Sequence, residues 1–285
     1  MFAITGITGK VGGAAARALL AADRKVRAVT RNPDRAREWA DRGCAIAAAD
    51  MGDAAALTTA FTGAEGVFIL LPPVFDPTPG FPESVAVIEA VRAALLAARP
   101  DKVVCLSTVG AHATQQNLLS QLKLMEQALS DMPMPVTFLR PGWFMENAAW
   151  DVAAARDAGT IASFLQPLDR AIPMVATADV GRVAAELIQQ TWRGIRVVEL
   201  EGPRRISPND IAATFARVLK RPVQAEAVPR DTWEELFRSQ GMRDPEPRMR
   251  MLDGFNEGWI DFEGGRAGTL KGEVTLEAVL ETLSA

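Results

Sequence analysis

Residues 2–22, FAITGITGKVGGAAARALLAA, set a short apolar run and an alanine-rich run on either side of a glycine turn. Phe2 to Thr5 has the length and apolar character of a buried strand, and Val11 to Leu20 the length and alanine content of a helix. In that order, Gly6, Gly9 and Gly12 bring the first backbone amides of the helix, which have no partner inside it, to face the carboxyl end of the strand. Glycine allows positive φ and lets an anion approach without a Cβ in the way, and the helix dipole favours negative charge. The spacing is Gly-x-x-Gly-x-x-Gly rather than the dinucleotide fingerprint with a shorter first gap. The context is the fingerprint's own: a strand before, a helix after, and a second strand, Lys25 to Thr30, at βαβ distance. Gly13 to Ala16 continue the small residues that let a helix lie close to a sheet.

Outward from this turn, the second strand ends in Arg31-Asn32-Pro33. An acid there would bind the ribose hydroxyls of NAD; Arg31, with Arg35 one turn on, matches a 2′-phosphate and favours NADP(H) over NAD(H). Asp34 to Gly43 reads as a helix and Cys44 to Ala49 as a third strand ending at Asp50-Met51, an acceptor and a flat apolar wall for an adenine. Asp53 is the better cap for a helix over Ala54 to Phe61, which leaves Asp50 for a ligand. Gly66 to Leu71 is continuously apolar, as in parallel sheets covered on both faces. It runs into Pro72-Pro73, suited to a loop along the middle of the cofactor, and Val74 to Pro82 reads as an ordered loop before a helix over Glu83 to Ala98. A fifth strand, Lys102 to Ser107, puts Ser107 and Thr108 at a strand end, where they either meet a ligand or cap the sheet. Asn117 to Leu129 reads as a helix with Leu118, Leu122, Met125 and Leu129 toward the core, and Val136 to Leu139 as a sixth strand.

Past residue 140 the alternation weakens. Asp151 to Pro173 reads as a short helix, a glycine turn and irregular chain, Ala178 to Gln189 as a helix and Val197 to Leu200 as a last apolar strand. Ser207-Pro208-Asn209-Asp210 is a helix start, and Trp233 to Gln240 and Thr275 to Leu283 are further helices. Asp253 to Phe262 reads as an aromatic, glycine-rich loop: a lid, or a segment packed on its own domain. The expected architecture is α/β: a doubly wound parallel Rossmann sheet, residues 1–140 joined by about 176–202, with a smaller, mostly helical substrate domain formed by 141–175 and 203–285.

Composition narrows the function. With 285 residues, 48% of them hydrophobic, the chain buries a substantial core, and a net charge of -4 leaves no electrostatic footprint for nucleic acid or an anionic membrane. No apolar run reaches the ~20 residues that span a bilayer, and no basic segment precedes the first apolar residues, so a cytoplasmic protein is expected. Cys44 and Cys105 lack metal-ligand spacing and read as core residues, and the single histidine, His112, removes most zinc and Ser-His chemistry. The chain has no tyrosine.

With TGITGKVG (5–12), TRNP (30–33), Asp50, LSTVG (106–110) and FLRPGWFMEN (138–147) in view, the chain resembles the NmrA-like branch of the atypical short-chain dehydrogenases over nearly its whole length. The resemblance implies that Gly6, Thr8, Gly9, Lys10, Val11, Arg31, Asp50, Met51, Leu71, Pro72, Pro73, Ser107 and Thr108 hold NADPH. It also implies that Trp143 and Phe144, in the family's loop between domains, line the substrate side. The family holds NAD(P)H-dependent quinone oxidoreductases and also redox-sensing regulators that bind dinucleotide without turnover.

Two departures matter. The Tyr-x-x-x-Lys pair of standard short-chain dehydrogenases is excluded by the missing tyrosine. Where relatives often carry His or Lys four residues before the glutamate matching Glu126, this chain has Leu122, and Lys123 is rotated by about 100° from that position. A quinone asks least of such a site, because its reduced oxygen is a stable phenolate that water can protonate, so orientation against the nicotinamide suffices. The expected partner is therefore a small-molecule acceptor, with a redox-sensing role, a regulatory protein partner and a homodimer left open.

Overall fold

The structure is a computed structural model that describes residues 1–265 and 268–285. Its chain divides into two compact units, one of Met1–Thr108, Gln121–Arg140 and Thr177–Val198, the other of Val109–Ser120, Pro141–Ala176 and Glu199–Ala285. In order, the strands and helices are β1 (Phe2–Thr5), α1 (Lys10–Ala21), β2 (Val26–Thr30), α2 (Arg37–Asp41), β3 (Ala45–Ala48), α3 (Ala54–Phe61), β4 (Gly66–Ile69) and α4 (Pro82–Ala98). Then come β5 (Lys102–Leu106), α5 (Ser120–Leu129), β6 (Val136–Pro141), β7 (Trp143–Phe144), α6 (Val152–Asp157), β8 (Thr160–Ser163), β9 (Met174–Val175) and α7 (Thr177–Gln189). The chain closes with β10 (Ile195–Glu201), α8 (Pro208–Leu219), β11 (Gln224–Ala227), α9 (Trp233–Ser239), α10 (Glu246–Glu257), β12 (Leu270–Lys271) and α11 (Leu276–Ser284).

The main sheet has eight strands in the order β12-β10-β6-β5-β4-β1-β2-β3. β1 pairs in parallel with β2 and β4, and the parallel ladder continues from β2 to β3 and from β4 through β5 to β6. The chain steps outward from β1 to β3 and then returns to β4 on the other side of β1, so the strand order reverses between β1 and β4. In such sheets the ligand crevice lies at the carboxyl ends on either side of that point. β1 and β4 are buried along their whole length, as strands with helices on both faces must be. On one face Ala3, Val67, Ile69, Val103 and Phe138 pack with Leu57, Phe61, Val91, Leu95 and Met125 from α3, α4 and α5. Cys105 is a fully buried member of this cluster and burial raises its thiol pKa; Cys44 is also buried.

The other face is built from small residues. A Cβ on Gly66 would stand 2.8 Å from Ile188 of α7. One on Gly181 of α7 would stand 2.4 Å from the Cβ of Ala14 and 2.7 Å from the Val11 carbonyl. The glycines and alanines of α1 therefore serve close packing against α7 as well as against the sheet.

Local signals are realised where they are self-contained. Asp53 accepts from the amides of Ala55 and Ala56 at 3.0 Å and caps α3, and Ser207 and Asp210 form a capping box at α8. The expected helix over Asp34 to Gly43 is instead a 3-10 turn, Pro33–Ala36, followed by the short α2. The third strand is shorter than expected and half exposed, because it is the sheet's edge. α5 starts three residues later than Asn117, whose side chain forms a local turn by accepting from the Leu119 amide at 2.8 Å.

In the second unit β8, within the stretch expected to be irregular, pairs in parallel with β11, about which the sequence reading is silent. The Asp253 to Phe262 loop is corrected most: its first half is the end of α10, with Met249, Leu252 and Phe255 buried, and Gly258 at φ 90° terminates the helix. Gly254 admits Ile260, which would lie 2.6 Å from a Cβ there. Ile260 and Phe262 are buried in the same core as Phe215, Trp233 and Phe237. Charged groups tie this unit together too: fully buried Glu201 meets Arg205 and Lys271, and Arg205 also forks onto Asp261 at 2.7 and 2.6 Å. Burial pushes the Asp151 carboxyl up to about 6.

Two tests follow from this packing. Gly181→Ala in a helix should stabilise by about 0.5–1 kcal/mol on propensity alone; the contact with α1 reverses the sign, and urea unfolding should show a loss of about 1–3 kcal/mol. Asp151 has a folded pKa above its unfolded value, so its contribution is present below about pH 4 and is lost as pH rises through about 6. Over that window the wild type should lose stability relative to Asp151→Asn; parallel pH profiles of unfolding would contradict it.

Candidate functional site

The glycine turn between β1 and α1 is built by backbone. Gly6 has φ 63°, which favours glycine, and the Gly9 amide donates to the Gly6 carbonyl at 2.9 Å. Gly9 is extended and caps α1 without a side chain, and the Gly13 amide is the first to reach back to it, at 2.9 Å. The amides of Lys10, Val11 and Gly12 therefore have no acceptor within the helix, and no acid stands in its first turn. A Cβ on Gly12 would lie 2.3 Å from the Gly6 carbonyl oxygen and 2.9 Å from that of Thr5. Thr8, Gly9 and Lys10 are exposed and Val11 is buried.

Thr5, which the sequence reading passed over, ties this turn to the neighbouring strand. Its hydroxyl donates to the Phe68 carbonyl at 3.0 Å and accepts from the Leu70 amide at 2.8 Å, joining the ends of β1 and β4 at the point of reversal. The sequence signal was a lone hydroxyl ending an apolar strand. Beyond Leu70, Leu71 is half-buried and Pro72 and Pro73 are exposed.

On the other side of β1, Asn32 accepts from the Asp34 amide at 3.0 Å and Arg37 pairs with Asp34 at 2.9 Å. Arg31 and Arg35 are exposed; the Arg35 amide donates to the Asn32 carbonyl at 3.2 Å, and neither guanidinium makes a hydrogen bond or ion pair among the described residues. Exposed Asp50, after β3, accepts from the Gly52 amide at 2.9 Å, and the adjacent Met51 is half-buried.

At the end of β5, Ser107 is buried and fully engaged as a donor. Its amide donates to the Leu139 carbonyl at 2.7 Å and its hydroxyl to Glu126 at 2.5 Å. Glu126 in turn takes a two-pronged contact from Arg140, at 2.9 and 2.6 Å. The remaining capacity of the Ser107 hydroxyl is as an acceptor. Thr108 is half-buried beside it, as is Lys123 on α5.

All thirteen expected cofactor residues thus lie in the first unit, at the exits of β1 to β5. Trp143 and Phe144 lie in the second, where they form β7 against β9, and the Trp143 ring stands edge-on to Phe255 at 5.3 Å. Among the described residues no three His, Cys, Asp or Glu side chains cluster as a metal would need. The residues of the first unit fit a nicotinamide dinucleotide: a cradle that a Cβ would fill, bare amides at a helix start, and uncommitted guanidinium groups after β2.

A doubly wound sheet with this cradle at its reversal defines the dinucleotide-binding class of Rossmann-like proteins. Within that class the chain belongs to the NmrA-like family, whose profile matches residues 1–258. It is 26% identical to an NAD(P)H azoreductase of Xenophilus azovorans, over 90% of this chain and 85% of that one. It is 31% identical to a (4-alkanoyl-5-oxo-2,5-dihydrofuran-3-yl)methyl phosphate reductase of Streptomyces griseus, over 79% and 76%. The crystal structure of an NADPH-dependent quinone oxidoreductase of Escherichia coli with NADPH superposes with a TM-score of 0.81 at 24% identity, covering 100% of this chain and 99% of that one.

The Glu126–Arg140 pair should be a stability determinant of the site. The two side chains are 12% and 6% exposed, so Glu126→Ala leaves a buried guanidinium without its carboxylate. A loss of about 3–5 kcal/mol in chemical unfolding is expected, with Glu126→Gln losing less.

Proposed function

We propose that this chain is an NADPH-dependent reductase that passes hydride to a quinone or a similar conjugated small molecule. The observation that carries the reading is the pairing of a bare backbone cradle after β1 with the uncommitted Arg31 and Arg35 after β2. In this reading the Lys10, Val11 and Gly12 amides bind the diphosphate, with Thr8 and the Lys10 side chain beside them, and Arg31 and Arg35 take the 2′-phosphate. Asp50 and Met51 hold the adenine, Leu71, Pro72 and Pro73 flank the middle of the cofactor, and Ser107 with Thr108 meets its far end. Residues 1–140 with about 176–202 form the dinucleotide side, and the remainder, with Trp143 and Phe144, the acceptor side.

Bound there, a reduced nicotinamide supplies the hydride. The chain's part is to bind, orient and exclude water. With no tyrosine to act as acid, the acceptor's own oxygen or nitrogen takes its proton from water, which suits quinones and other conjugated acceptors better than simple ketones. The names of the relatives point the same way: an azoreductase, a reductase of an unsaturated lactone phosphate and a quinone oxidoreductase. The reading places the protein in the cytoplasm with neither nucleic acid nor membrane as partner. Among the described residues no helix is long and apolar enough to cross a membrane.

Calorimetry with NADPH and NADH, followed by turnover with benzoquinone, tests it. Arg31→Ala should weaken NADPH about 10- to 100-fold, the worth of one charged hydrogen bond, and leave NADH little changed. Equal losses would remove the phosphate assignment. Tight NADPH binding without turnover of any quinone or azo dye would replace the reductase with a redox-sensing regulator, and no binding of either cofactor would end both.

A further inference from the structure

The loop from Pro72 to Phe81 carries one feature that cofactor binding does not use. Phe75 is 61% exposed, one of two aromatic side chains, with Trp150, that the chain leaves largely in water. The loop does not simply let it hang loose. Just before it, the Val74 carbonyl accepts from the Gln121 side chain at 3.0 Å, and Gln121 accepts from the Ser84 hydroxyl at 2.5 Å. Gln121 and Ser84 are 7% and 5% exposed, so this pin is buried.

On the far side of Phe75 the chain is restrained by prolines and by hydrogen bonds at the surface. Pro77 and Pro79 restrict the backbone, Thr78 donates to Glu83, and the Phe81 amide donates to the Thr78 carbonyl at 2.9 Å. Phe81 takes φ 58°, rare for a bulky residue, and is buried. Strain of this kind persists only where the surroundings over-determine it. The loop spends buried polar contacts and a strained residue on a conformation that leaves Phe75 in water.

The order of the strands says what stands beside it. A ligand with its phosphorylated ribose at Arg31, after β2, and its diphosphate at the turn after β1 continues in the same direction over the exits of β4 and β5. Phe75 is five residues beyond Leu70, whose side chain would touch a Cβ on Gly6 at 3.3 Å, so at most about 18 Å of extended chain separates it from the phosphate turn. Its anchor, Gln121, lies on α5, which follows β5. The loop that carries Phe75 therefore leaves the sheet after β4 and is tied to α5, on the β4–β5 side of the phosphate turn and away from β2 and β3.

We propose that Phe75 is an acceptor-binding residue, a fixed aromatic face on which a planar conjugated acceptor stacks, with Gln121 as the residue that positions it. This rests on the reductase reading and adds to it an acceptor contact in the first unit. A flat π-system gains from such a face by offset stacking, whereas a small saturated carbonyl compound gains little. The role is thus one of specificity for flat acceptors.

The test uses the full chain loaded with oxidised NADP, in which a quinone binds without being reduced, and follows binding of 1,4-naphthoquinone by tryptophan fluorescence quenching. Phe75→Ala should weaken naphthoquinone about ten-fold while the affinity for NADP changes less than two-fold. Phe75→Trp should restore quinone binding and Phe75→Leu should not. In turnover with NADPH the same loss should fall on KM for the quinone rather than on kcat. Naphthoquinone binding equal in wild type and Phe75→Ala overturns the role of Phe75 and leaves the reductase reading standing. A wild type that binds NADPH but neither binds nor reduces any quinone overturns the reductase reading, and the stacking role with it.

Discussion

The backbone contact between Gly6 and Gly12 sets the geometry on which the rest of the first unit depends. With 2.3 Å between the Gly6 oxygen and the place a Cβ of Gly12 would occupy, any side chain there would push the helix off the strand. Because it is absent, α1 leaves β1 at a close angle, its first amides stay open at the strand's end, and its small-residue face comes to lie where α7 can press Gly181 into it. One missing atom thereby fixes a helix direction, an anion cradle and the second layer of the fold. The Thr5 hydroxyl completes the arrangement sideways by tying β1 to β4, so the crevice at the reversal is held by hydrogen bonds instead of by bulky side chains.

Charge is distributed along the same edge with a clear division. Many arginines of this net-negative chain are paired with acids, among them Arg42 with Glu38, Arg92 with Asp131, Arg182 with Asp179 and Glu186, Arg205 with Asp261, and Arg230 with Asp253. Arg31, Arg35 and Lys10 are the contrast, exposed at the exits of β1 and β2. Fixed positive charge beside open amides is what a polyanionic ligand senses. At the other end of the edge the charges are buried and cancelled, in the Glu126–Arg140 pair that holds Ser107. A ligand charged at one end and flat and neutral at the other matches that gradient.

What could be read from the sequence was what a single local cause decides. The glycine turn was legible because no other residue permits it, and the caps Asp53 and Ser207 because each satisfies amides within three residues of itself. The strands of the first unit were legible as apolar runs. α10 was not, because Met249, Leu252 and Phe255 are interleaved with Arg248, Arg250 and a proline, and the stripe is visible only once its partners Ile260 and Phe262 fold back on it. The β8 and β11 pair escaped for a similar reason: TIAS and QAEA carry little apolar signal, and each is a strand only because the other, some sixty residues away, completes its ladder. The Ser107, Glu126 and Arg140 chain and the pin beneath Phe75 depend on side chains from separate elements meeting in space, which spacing along one element does not reveal.

The way the units are threaded has a consequence for how the protein is made. The first unit is not finished when β6 emerges, since α7, which covers one face of its sheet, arrives only after residue 176. During synthesis the strands β1 to β6 must therefore wait with one apolar face incompletely sheltered until nearly two hundred residues have left the ribosome. The N-terminal half therefore emerges without a helix that its sheet packs against, and the nascent sheet is the stage at which a chaperone has something to hold.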